Sequence, residues 1–488
     1  MQYAHLFLQQ PAPDVDWCDV GEATIDLLPD VALLEIFECY VDPQGPQDES
    51  FSGLDTWHTL VHVCQRWRNV VLGSPRRLYL QILCTDKKPV REMLDVWPVL
   101  PIVVRGYHPP SVDSIIAALE RNDRVCKVHF GSSESSQMGE VLLAMQRPFP
   151  ALTHLWLEAD DEIDETLLVV PDSFLGGSAP GLRTLWLCNL PFPGLPKLLL
   201  SATQLDELNF LNLSYSGYIS PDMMATCLST LTRLGSLQLV FPFTPSRSRP
   251  PPRTRSVFPS LTFFGFSGDS EYLEDLVAWI NAPLLNTLSV IFFRQITFNT
   301  PHLTQFIRRT QKLNALDEAC VVLFDRAFSI QLSSSSQIFD ELSDTPSSTT
   351  QIPGGGELKL KTGCGESAQL SSLARDCASF LPVHSVEHLY FRNGASESLH
   401  WQDIENTDWL GYFLYPFTAV KSLYLFRELA PPFARALLGE RATEVLPALR
   451  NIFFEELQLL SGPDREVIGQ FVAARQLINQ PITVSSWE

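Results

Sequence analysis

The stretch WHTLVHVCQRWRNVV (57–71) places His58, His62 and Cys64 within seven positions, a donor set that suits a transition metal if the side chains converge. A helical reading at about 100° per residue keeps them apart. Trp57, Leu60, Val61, Cys64, Trp67 and Val71 share one arc, which Val63 and Val70 widen. His58 and His62 fall opposite, among Gln65, Arg66 and Asn69, so one helix cannot bring the trio to a single ion. The two histidines keep the i, i+4 spacing of a chelating pair, but Thr59 stands where a metalloprotease motif requires Glu. His384 and His388 repeat that spacing in LPVHSVEHLYF, across what reads as a loop-to-strand junction.

Other chemistry is equally hard to place. Ten cysteines stand singly along the chain, none in C-x-x-C spacing and none in a nucleophile context. GFSGD (265–269) ends in Asp269 where a nucleophile elbow needs Gly, and GGSAP fails in the same way at Pro180. GGGELKLK does not match a phosphate loop. No catalytic residue, metal or cofactor is therefore expected, and the chain reads as a non-enzyme.

Composition points to binding. The 488 residues are 45% hydrophobic and 19% charged, which describes a folded protein of several domains or of repeats. The formal net charge of −21 argues against nucleic acid and anionic membrane as partners. No apolar run approaches the length of a membrane span, and the first residues lack a secretory signal, so an intracellular place, cytoplasmic or nuclear, is expected.

The elements around the opening stretch are helical. In LLPDVALLEIFECYVD, Asp26 is placed as N-cap and Pro29 in the first turn. Leu33, Leu34, Ile36, Phe37, Tyr40 and Val41 fall on one arc, with Glu35 and Glu38 outside it. A polar loop, PQGPQDESFSG, leads to a second helix capped by Asp55 or Thr56. Two short helices with such wide apolar faces cannot bury everything against each other, so an exposed helix-binding surface follows.

LPDVALLEIF followed by W…L..VCQRWR resembles an F-box, the helical module that docks on the adaptor Skp1. The resemblance spans residues 25–75. It implies Skp1 contacts by Leu28, Pro29, Leu33, Ile36, Phe37, Trp57, Leu60, Val63, Cys64 and Trp67. SPRRLYLQI (74–82) is similar to the segment leading out of such boxes, while Val31 stands where an acid is common. The long inter-helix loop resembles the large F-box families of mushroom-forming fungi.

Downstream, L-x-x-L-x-L recurs: VCKVHF at Val125, LTHLWL at Leu152, LRTLWL at Leu182, LDELNF at Leu205, LGSLQL at Leu234, LTFFGF at Leu261 and LNTLSV at Leu285. VEHLYF at Val386, VKSLYL at Val420 and LRNIFF at Leu449 continue the series after a gap with room for degenerate copies near LNALDEACVVLF and GELKLK. Most intervals match a leucine-rich repeat, and helix-like segments separate the signatures. The expected fold is α/β: an N-terminal all-α module, then an irregular leucine-rich-repeat solenoid with a parallel sheet. The usual Asn after the signature is absent, and in LRTLWLCNL its place holds Leu190. Residues 462–477 read as a terminal helix and PITVSSWE as an edge strand, together a cap.

The organisation is thus a tail (1–24), the module (25–75) and the repeats (76–488), with low-complexity loops at 245–256 and 333–357, the latter read as a disordered excursion. Alternation turns Trp156, Trp186, Tyr390 and Tyr424 to the concave sheet face, as target-binding candidates or as a second small core under loops. The resemblance implies a substrate receptor of a Skp1–cullin–F-box ubiquitin ligase, bound to Skp1, through it to a cullin, and to a target protein. The alternative is a leucine-rich-repeat scaffold acting outside a cullin complex.

Overall fold

Each repeat signature becomes a strand whose alternate residues enter one core. Leu155 and Leu157, Leu185 and Leu187, Leu208 and Phe210, and Leu237 and Leu239 are all essentially inaccessible, as are the preceding Leu152, Leu182, Leu205 and Leu234. The computed structural model describes residues 25–41, 56–73, 80–85, 90–96, 99–106, 111–132, 134–160, 168–211, 217–241, 255–293, 300–324, 327–334, 355–363, 376–378, 380–394, 408–426, 429, 433, 444–455 and 462–487.

The N-terminal part is helical: a 3₁₀ turn Ile25–Leu27, then α1 (Asp30–Val41), α2 (Thr56–Val63) and α3 (Gln65–Gly73). The sheet starts earlier than the signatures, at β1 (Leu80–Leu83) and β2 (Ile102–Gly106), separated by α4 (Val90–Val96). It continues through β3 (Val125–Ser132), β4 (His154–Ala159), β5 (Thr184–Cys188), β6 (Glu207–Leu211) and β7 (Ser236–Val240). Between them lie α5 (Val112–Leu119), α6 (Ser135–Ala144), α7 (Leu195–Ser201) and α8 (Pro221–Leu228), the helices expected between signatures. A small pair, β8 (Ser256–Val257) with β10 (Ile280–Asn281), flanks β9 (Phe263–Gly268) and α9 (Ser270–Trp279). Then come β11 (Thr287–Phe292) and α10 (Pro301–Arg309).

The gap region holds three strands: β12 (Glu318–Phe324), β13 (Ala327–Ser333) and β14 (Glu357–Gly363). The degenerate copies expected at LNALDEACVVLF and GELKLK are β12 and β14. β13 is an addition, antiparallel to both. The chain closes with β15 (His388–Asn393), α11 (Asp408–Leu414), β16 (Ser422–Leu425), β17 (Asn451–Glu455), α12 (Gly462–Leu477) and the edge strand β18 (Thr483–Trp487).

Among the described residues these form one 16-stranded sheet in the order β1-β2-β3-β4-β5-β6-β7-β9-β11-β14-β13-β12-β15-β16-β17-β18. Every other pairing in it is parallel, for example Leu185 beside Leu155 and Leu208. The chain passes from β11 to β12 over the two places that β14 and β13 later fill, and the 333–357 segment links β13 to β14. Residues 335–354 of that loop, 242–254 of the proline-arginine loop and the tail 1–24 lie outside the described residues.

Backbone bonds carry the repeat from copy to copy: Thr184 N–H donates to Thr153 O (3.0 Å), Glu207 to Arg183 O (2.9 Å) and Phe263 to Gly235 O (3.0 Å). In LRTLWLCNL the inter-repeat side-chain bond comes from Asn189, one place before buried Leu190, whose Nδ2 donates to Ala159 O at 2.6 Å. Asn189 adopts φ 56°, a left-handed conformation that asparagine tolerates well. In the helical layer, buried Glu274 of α9 accepts N–H bonds from His302 (2.8 Å) and Leu303 (2.6 Å), capping the first turn of α10. The N-terminal helices are not detached: Leu33, Phe37, Leu60 and Val71 belong to the same continuous core as Ile82 and the repeats.

Candidate functional site

The N-terminal helices depart from the expected pair in two ways. α1 starts at Asp30, with Asp26 in the preceding 3₁₀ turn and Pro29 just before the helix, its carbonyl accepting from Leu33 N–H at 3.1 Å. The second helix is two helices broken at Cys64. That residue acts as the cap of α3: its Sγ accepts from Trp67 N–H at 3.4 Å and its carbonyl from Arg68 N–H at 3.1 Å. Arg68 Nε donates to Val61 O near the end of α2 at 3.0 Å. Arg66, placed on the wet face by angle, pairs with Asp30 at 2.8 Å and also donates to Leu28 O, tying α3 to the start of α1.

Burial divides the ten expected adaptor contacts. Leu33, Phe37 and Leu60 are buried, and Leu28 and Trp67 pack against the core, with the Trp67 ring 4.7 Å from that of Phe37. Cys64 is half-buried in its capping role, and the side chains of Trp57 and His58 lie outside the described residues. Pro29, Ile36 and Val63 are exposed. The sequence reading missed Leu27 and Val31, which join Ile36 and Val63 in water at 74%, 61%, 46% and 58% exposure. Among the described residues, α5, α9 and α10 leave no large aliphatic side chain so exposed, and α6 and α7 leave one each.

The second surface is the sheet face that carries no helix among the described residues, called the helix-free face below. There, registered neighbours form two aromatic ladders. His129, Trp156 and Trp186 sit side by side on β3, β4 and β5, and the two indoles stack at 4.1 Å and 6°. Tyr390, Tyr424 and Phe453 do the same on β15, β16 and β17, at 4.3 Å and 4.7 Å. Trp156, Trp186 and Tyr424 are half-buried, whereas Tyr390 is buried. Tyr390, Cys188 and Cys320 stand outside the main core, so this face has a small packed layer of its own. Trp156 Nε1 donates to Glu158 at 3.3 Å, while buried Trp186 Nε1 has no acceptor among the described residues.

Charges on this face are graded. Burial, then Arg105, His154 and Lys127, push His129 down to about 4, and burial with Lys127 and Arg183 lowers His154, so both imidazoles are neutral at pH 7. Burial, with Asp317 adding, raises Glu318 to about 7. At the row shared by β13, β12 and β15, Ser333 Oγ, Glu318 Oε2 and His388 Nδ1 are buried without a hydrogen-bond partner among the described residues.

Among the described residues, no three His, Cys, Asp or Glu side chains converge on a point where a metal would sit. Burial raises the thiols of Cys84 to about 12 and of Cys126 and Cys320 to about 11, the opposite of nucleophile activation. No helix of the described residues is long and apolar enough to cross a membrane.

No family model matches the chain. No curated protein matches it. A solved structure, the leucine-rich repeat-containing protein LegL7 from Legionella pneumophila, aligns over 83% of this chain and 99% of that one, at 12% identity and a TM-score of 0.26. The leucine-rich-repeat-like fold rests on the strand registers above, not on that likeness.

Proposed function

We propose that this chain is a target receptor of a Skp1–cullin–F-box ubiquitin ligase, holding Skp1 on α1–α3 and a target protein on the helix-free sheet face. The observation that supports it is the set of large aliphatic side chains left in water on the 3₁₀ turn, α1 and α2: Leu27, Val31, Ile36 and Val63. The chain performs no bond chemistry of its own; it acts by proximity, raising the effective concentration of a target beside a conjugating enzyme. Leu33, Phe37, Leu60 and Trp67 shape the module and Ile36 and Val63 meet the adaptor, so the discriminating variant touches only the exposed pair. Ile36→Asp with Val63→Asp abolishes co-purification of Skp1 while circular dichroism stays that of the wild type. Retained Skp1 in this folded variant overturns the reading.

One observation favours a second reading, a scaffold outside a cullin complex. The buried side of α1–α3 is continuous with the repeat core, as it would be if these helices only capped the solenoid. A wild-type chain that captures neither Skp1 nor a cullin decides for that reading.

A further inference from the structure

We propose that the sheet face at the inserted strands binds a carboxylate-bearing segment of a partner protein through Lys359, Lys361 and Arg392. This deepens the receptor reading of the repeats and does not depend on the adaptor contact. Lys359 and Lys361 alternate on β14 with buried Leu358 and Leu360, so both face the helix-free side, exposed. Lys361 registers with Ser329 on β13, Ser329 with Val322 on β12, and Val322 with Arg392 on β15. A strip therefore runs across four strands, with a cation at each end and short side chains between.

Charge makes the strip unusual. The chain has 56 acidic and 35 basic residues, and among the described residues several exposed cations are paired: Arg66 with Asp30, Arg91 with Glu120, Arg121 with Asp95, Arg233 with Asp206, Lys421 with Glu387. Among the described residues, none of Lys359, Lys361 and Arg392 has a carboxylate partner. The nearest acids by register occupy the row at the strand starts: Glu357 accepts from Gln331 Nε2 at 2.9 Å, and burial raises the Glu318 carboxyl to about 7. The cations are also supported from below. The Lys361 ammonium lies 5.2 Å from the Phe324 ring centre and the Arg392 guanidinium 5.4 Å from that of Phe426. Arg392 is half-buried, and its Nε is a buried donor without a hydrogen-bond partner among the described residues.

Spacing selects the ligand. The backbones of Lys361 and Arg392 stand three strand steps apart, about 14 Å, so no single small anion meets both. An extended peptide rises about 3.3 Å per residue, so carboxylates roughly four residues apart span the strip. A continuous polyanion is disfavoured, because a chain of net charge −21 repels a long phosphate backbone that runs beyond the strip.

The test uses the full chain and fluorescence anisotropy at low salt. The probes are a labelled peptide with Glu at every fourth position of a Gly/Ser background, its Gln counterpart, and a single-stranded oligonucleotide of equal length. The Glu peptide binds about tenfold or more tighter than the Gln peptide, and Lys359→Gln with Lys361→Gln, both on exposed positions, removes about tenfold of that affinity. Adding Arg392→Gln removes the preference for Glu. Equal binding of the two peptides, no binding of either, tighter binding of the oligonucleotide, or unchanged affinity in the folded double variant overturns the proposal. Skp1 capture is measured on the same samples: Skp1 retained while the Glu preference is absent sinks only this site, and the reverse sinks only the adaptor reading.

Discussion

The repeats from β3 to β11 and the segment from β12 to β14 both extend one sheet, but they do so differently. In the regular run the strand of each repeat joins that of the preceding repeat in parallel, and polar side chains find partners in the copy before. Thr153 Oγ1 donates to Cys126 O at 2.9 Å, and Thr262 Oγ1 to Gly235 O at 3.0 Å. In the insert, β12 is laid down before the strands that will flank it. Its Glu318 ends beside Ser333 and His388, all three with a buried polar atom unpartnered. Repetition thus lets polar groups pair across copies, while the interruption leaves them available to something else.

The largest effect that bears on this contrast comes from the core. Leu187 on β5 and Ile330 on β13 are both fully buried, so replacing either by Ala costs about 3 kcal/mol in chemical denaturation. If the sheet behaves as nearest-neighbour units, hydrogen exchange accelerates locally in each variant: around 150–215 for Leu187→Ala, around 318–363 for Ile330→Ala. Acceleration spread evenly over both regions would break the comparison.

The same contrast explains what could be read from the sequence. Strands at 154, 184, 207, 236 and 263 were legible because each alternating pair of leucines or phenylalanines marks both the strand and its buried face. The AFSIQLS of β13 alternates in the same way but lacks the leading leucine. Its antiparallel pairing follows from only two residues separating Phe324 and Ala327. β1 and β2 were missed because short apolar runs such as LPIVV carry no helix-versus-strand signal. The helix break at Cys64 was invisible because helical phase survives a single-residue interruption; a thiol three residues before Trp67 was the available hint. The adaptor face was half legible. An apolar arc says which residues avoid water, not what covers them, so Phe37 and Ile36 looked equivalent until packing placed one in the core and one in solvent. Trp156 and Trp186 hold the same place in LTHLWL and LRTLWL, and that shared place is what registers and stacks them.

A smaller effect tests the polarity of the insert. The Glu318 carboxyl titrates at about 7 in the fold against an ordinary 4.5. Between those values the folded chain holds a proton that the unfolded chain has released, so this group's contribution is fully present below 4.5 and is lost as pH rises through 7. Urea titrations at pH 5 and pH 8 therefore show a loss of roughly 2 kcal/mol that Glu318→Gln abolishes. An unchanged pH slope in that variant would mean the row is wetter than its packing implies.

The smallest effect separates ladder from hydrogen bonding in the regular run. Trp156 and Trp186 stack in parallel, but only Trp156 places its N–H on an acceptor, the partly exposed Glu158. Trp186→Phe keeps a ring in the stack and deletes a buried donor that has nothing to bond. The lost indole area costs stability and the removed unsatisfied group returns it, for a net change within about 1 kcal/mol. Trp186→Ala removes the ring as well and costs about 3 kcal/mol or more. If Phe proves nearly as damaging as Ala, the Nε1–H has a partner in solution. The regular half would then share with the insert a polar contact that the folded chain does not supply by itself.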